Sequence, residues 1–71
     1  MTAALATKLV DPVEAFTARC EARATLVAVG FMDLHTAIDE LQADAERDGL
    51  VESIGQDAVQ AIMSAAFEAV R

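Results

Sequence analysis

The chain is poor in the residues that let small proteins fold by cross-linking. Its one cysteine, Cys20, cannot close an intrachain disulfide, and no CxxC or Cys/His pairing offers a structural zinc site. A lone thiol suits a reducing compartment, so a cytoplasmic location is expected. Tryptophan and tyrosine are absent, the aromatics are three phenylalanines, and the chain-breakers are one proline and three glycines. With so few breakers and so much alanine, helix is favoured strongly over strand. No apolar run approaches the roughly 20 residues that span a bilayer. The opening MTAALATKLV is too short and too polar in its apolar part for a signal peptide, and a disordered tail is expected over residues 1–10.

Positive charge is also scarce, with 5 Lys and Arg against 12 Asp and Glu, for a net charge of −7. The deficit is local. Asp33, Asp39, Glu40, Asp44, Glu46, Asp48, Glu52 and Asp57 share their window with Arg47 alone, while the four acids elsewhere balance Lys8, Arg19, Arg23 and Arg71. Such a field repels nucleic acid and anionic lipid and steers towards a basic protein surface, or it serves solubility alone.

At 71 residues the chain makes one domain, residues 11–71, near the lower limit for an unaided core. Helix packing and self-association are the remaining sources of stability. Three helices are expected. Asp11 caps the first, Pro12 suits its first turn and Glu14 completes a box-like start. Val13, Phe16, Cys20, Ala24 and Val27 then recur at three-to-four spacing up to Gly30, for a helix near 12–29. Asp33 starts the second, near 34–48, with Leu34, Ala37, Ile38, Leu41 and Ala45 on one face and Gly49 as its left-handed stop. The third, near 56–70, starts either from a Ser53–Gln56 capping box or from Gly55. It carries Val59, Ile62, Met63, Ala66, Phe67 and Val70 on one side and Ala58, Ala61, Ala65 and Ala69 over much of the other. A helix apolar nearly all round is expected to be covered on more than one side, by a second copy or a partner.

Chemistry-bearing clusters are thin. His35, Asp39 and Glu46 share a side of the second helix, but one histidine without a cysteine beside it makes a poor metal site. A His35–Asp39 pair worth a few tenths of a kcal/mol is the expected reading. Cys20 falls on the buried stripe, no glycine-rich phosphate loop is present, and adjacent carboxylates such as Asp39 and Glu40 face different ways. No catalytic site and no cofactor are therefore expected. Helix 3 lacks the basic and amide side chains of a DNA-reading helix.

Protein binding remains. Phe31 and Met32, in the first interhelical connection, would join Met63, Phe67 and Val70 in an adaptable apolar anchor, although one of the connection pair is expected to tuck inward. Asp39, Glu40 and Asp44 would form an acidic rim around it. Two other readings stand beside this one: a homodimerisation module built on the alanine ridge, and a charge-driven DNA mimic or antitoxin-like inhibitor.

The stretch LHTAIDELQADAERDGLVESIGQDAVQAIMSAAF, with its LH…DEL…GL…IGQDAV spacing, resembles the small QseM-like antiactivators of rhizobial integrative conjugative elements. The resemblance extends over roughly residues 11–71. It implies a protein that binds transcriptional activators, including quorum-sensing LuxR-type regulators, and blocks expression of conjugative transfer genes. It implies no catalytic residue.

Overall fold

In the computed structural model, which describes residues 11–70, the chain is helical with no strand among the described residues. Four helices follow one another: α1 Pro12–Ala28, α2 Leu34–Arg47, α3 Leu50–Ile54 and α4 Gln56–Ala69. The expected tail over residues 1–10, and Arg71, lie outside the described residues.

The first two helix starts are as the sequence reads. Asp11 accepts from the Val13 amide at 3.0 Å, with Pro12 at the first helical position. Asp33 accepts from the Thr36 amide at 3.2 Å. Each cap satisfies a donor that has no partner inside its helix, worth about 0.5–2 kcal/mol. At the other end of α1, the Gly30 amide donates to the Val27 carbonyl and the Phe31 amide to the Leu26 carbonyl. This is a Schellman turn, and it requires the positive φ of 84° that Gly30 supplies.

Among the described residues the count of three helices is corrected to four. The connection after α2 is itself largely helical: Leu50–Ile54 forms a single short turn of helix, α3, preceded by Gly49 in the left-handed region. Leu50 enters the core and Val51 packs half-buried against it. Ser53 therefore lies inside α3 and caps nothing. Gly55 occupies the N-cap of α4 without a side-chain cap bond, at φ 92° and ψ 153°, which removes the capping box and leaves the glycine alternative.

The core is a seam where α1 meets α4 and α2, closed beneath by α3. It holds Phe16, Cys20 and Ala24 from α1, Leu41 and Ala45 from α2, Leu50 from α3, and Val59, Met63 and Ala66 from α4. Ala37 is buried beside them. Ala24, Ala45 and Ala66 fill the narrow parts of this seam, and Phe16, Leu41 and Met63 the wide ones. No polar or charged residue is buried among the described residues. The Cys20 thiol is fully enclosed, and burial, reinforced by the neighbouring Glu21 charge and opposed by Arg23, raises its pKa from 9.0 to about 11. It is a packing residue.

Candidate functional site

On the side where α1 ends and α2 begins, the three long helices do not close on one another. They leave an open apolar groove of about 630 Å³. Val27 and Ala28 form one wall, Leu34 and Ile38 a second, and Met63, Phe67 and Val70 of the last helical segment the third. Gln60, Ser64 and Glu68 supply its polar edge. Helical geometry explains the opening. Leu34 and Ile38 lie one turn apart on α2, on a row that continues to Gln42. Gln42 and Gln56 exchange reciprocal amide hydrogen bonds of 2.8 and 2.9 Å, tying α2 to α4 one turn beyond Ile38 and one turn before Gln60. That double bond bounds the groove at one end. At the other end stands the α1–α2 turn, where Phe31 is 82% exposed and Val29 59%.

The residues expected to form an anchor are thus divided. Met63, Phe67 and Val70 do share one cavity, but Met63 is only 5% exposed and serves as its floor and as core. Phe67 is half-buried against the core, and Val70 is exposed at the rim. Phe31 and Met32 stand in the adjoining turn, outside the groove lining. Met32 is the partly covered member of the pair, and Phe31 is the one left in solvent. Val27, Ala28, Leu34 and Ile38 were not anticipated as groove residues. Leu34 and Ile38 sit on the α2 stripe that reads as core; Leu34 is 47% exposed, while Ile38 is half-buried against the core and borders the groove.

The acidic rim is likewise split over two flanks. Glu40 and Asp44 face α1, where Arg23 Nε stands 3.2 Å from Glu40 and Arg47 binds Asp44. Arg19 reaches Asp48 at 3.0 Å on the same flank. Arg19–Asp48 is an exposed pair of at most about 1 kcal/mol, whereas the Asp44 side chain and the Arg23 Nε are largely covered, and Arg23 Nε makes no hydrogen bond to Glu40. Asp39 lies on the opposite, exposed side, and none of Asp39, Glu40 and Asp44 lines the groove. The expected His35–Asp39 pair does not form among the described residues: both side chains are exposed and neither joins an ion pair. No group of three or more potential metal ligands converges among the described residues.

Comparison with protein-family models, with characterised proteins and with solved structures returns no match.

The other side of α4 differs. Ala61, Ala65 and Ala69 are exposed, and only a shallow depression of about 190 Å³ lies there, between Thr17 and Glu21 of α1 and the alanines. Both threonines of that α1 face, Thr17 and Thr25, donate their hydroxyls to carbonyls one turn back, which leaves a smooth surface.

Proposed function

We propose that this chain is a small regulatory protein that binds and inhibits a transcriptional activator, acting as an antiactivator without catalysis or cofactor. The observation that carries the reading is the apolar groove between α1, α2 and the end of α4, with Phe31 standing exposed beside it. A contiguous apolar concavity beside an exposed aromatic has the form of a protein-docking surface. Helix-in-groove recognition uses such a floor, with apolar anchors from the partner replacing water. The choice of an activator of the LuxR type, and of conjugative transfer as its output, comes from the resemblance of residues 11–71 to QseM-like proteins. The lone buried thiol and the acidic surface suit a cytoplasmic location.

The test is a reporter strain in which a LuxR-type activator drives its target promoter. Co-expression of the chain should remove most of the reporter signal, and Phe31→Glu or Val70→Glu should restore it while circular dichroism remains helical. An unchanged reporter in the presence of the wild-type chain contradicts the reading.

A second reading, homodimerisation, is favoured by one feature: the exposed alanines 61, 65 and 69 would let a second α4 approach closely. Sedimentation at micromolar concentration separates the two, since a monomer leaves the groove free for a different partner.

A further inference from the structure

The groove's surroundings specify the chemistry of what fills it. Each arginine among the described residues is spent on one flank of the molecule: Arg19 on Asp48, Arg23 on Glu40, and Arg47 on Asp44 and Asp48. The groove flank keeps its carboxylates. At about 3.6 residues per turn, Asp39 lies outward of the Ile38 wall, and Glu46 stands one turn beyond Gln42 at the bounded end of the groove, where it accepts from the Gln42 amide at 3.0 Å. By the same winding Asp57 lies outward of the Gln60/Ser64 wall, with Glu68 on its edge. Asp39, Glu46 and Asp57 are exposed and join no ion pair among the described residues. Four of the twelve acids, Asp39, Glu46, Asp57 and Glu68, thus stand around the open apolar floor, and none of the three described arginines is paired there.

Resting on the docking surface proposed above, we infer that the groove takes a cationic amphipathic helix, an apolar stripe flanked on both sides by Lys or Arg. Length agrees with this. From Gln60 to Val70 the groove follows α4 for about 15 Å, close to three turns of a bound helix. Apolar anchors at i, i+3, i+4 and i+7 would meet Met63, Phe67, Leu34 and Ile38. Basic side chains at the flanks would reach the carboxylate ridges on either side. A second copy of this chain is a poor occupant, because it would bring the same acidic ridges against themselves.

The test uses fluorescein-labelled synthetic peptides and fluorescence anisotropy with the full chain. One peptide carries leucines at i, i+3, i+4 and i+7 with lysine flanks. A second replaces the lysines by glutamates, and a third keeps the lysines but replaces the leucines by serine. The first should bind, and the other two should bind at least about tenfold more weakly. In the Asp39→Asn/Glu46→Gln/Asp57→Asn variant, the preference for lysine over glutamate flanks should shrink to about threefold or less. Ser64→Trp, at an exposed position on the groove wall, should weaken the first peptide at least about tenfold; if that variant loses helicity, Gln60→Trp replaces it. Equal binding of lysine and glutamate peptides, binding that survives loss of the leucines, or binding unaffected by a folded Ser64→Trp variant each overturns the inference. So does a dimer in sedimentation that Ser64→Trp dissolves. Reporter inhibition by a chain that binds none of these peptides overturns the cationic helix and leaves the antiactivator reading standing. Peptide binding without reporter inhibition supports the helix site and contradicts the antiactivator reading alone.

Discussion

Met63 and Phe31 show how differently two large apolar side chains can be used within one small chain. Met63 lies 5% exposed at the groove floor, in contact with the core, so Met63→Glu places a carboxylate where nothing can pair with it. That variant should lose its cooperative unfolding transition altogether and reports on folding. Phe31→Glu exchanges a side chain already 82% in solvent, so its unfolding midpoint should stay within about 0.5 kcal/mol of wild type while partner binding falls. Urea titration followed by circular dichroism checks both. Cys20 offers a second prediction at this scale. Its pKa is raised to about 11 in the folded state by burial, so the native chain holds the thiol proton at pH values where the unfolded chain has lost it. Stability from this group is complete below pH 9 and declines as pH rises towards 11, by about 2–3 kcal/mol over the two units. The absence of tyrosine leaves little else to titrate there. Cys20→Ala should flatten the decline in urea unfolding measured from pH 8 to 11. A curve unchanged by the substitution contradicts the assignment.

At the scale of elements, the junction before α4 depends on Gly55. Its φ of 92° and ψ of 153° fall in a region essentially closed to residues with a Cβ, although a Cβ there would meet no neighbour within 4 Å. Gly55→Ala should therefore cost about 1–3 kcal/mol through backbone strain alone, read as a shift in the denaturation midpoint. A cost near zero would mean that the junction relaxes. This junction is also where the sequence misled. Asp11-Pro12 and Asp33 announce α1 and α2 because a cap and the apolar repeat behind it are local signals. Ser53–Gln56 has the spacing of a capping box, yet Leu50's burial pulls residues 50–54 into a helix of their own and takes Ser53 with it. Tertiary contact overrode a local signal there. The groove was half legible for a similar reason. Met63, Phe67 and Val70 follow from the stripe of α4, whereas Leu34 and Ile38 belong to a stripe that looks like core until the splay of the helix ends is known.

For the whole molecule, the decisive property is asymmetry of charge over a common scaffold. Arg19, Arg23 and Arg47 answer acids on the α1-facing flank, and the groove flank is left anionic. If the acidic surface only keeps the protein soluble, salt will leave partner binding untouched. If it steers a basic partner to an apolar floor, raising ionic strength should slow association strongly and change dissociation little, because screening acts on the approach and the apolar contact persists. Stopped-flow association at two salt concentrations distinguishes the cases, and collapse of both rates would instead favour a charge-driven mimic.

The most direct measurement is the ¹H–¹⁵N correlation spectrum of the labelled chain titrated with a LuxR-type activator, the partner class proposed above. The groove account predicts that the largest perturbations gather on Phe31, Leu34, Ile38, Ser64, Phe67 and Val70. Perturbations gathered on Ala61, Ala65 and Ala69, or on the Arg23–Glu40 flank, would contradict it.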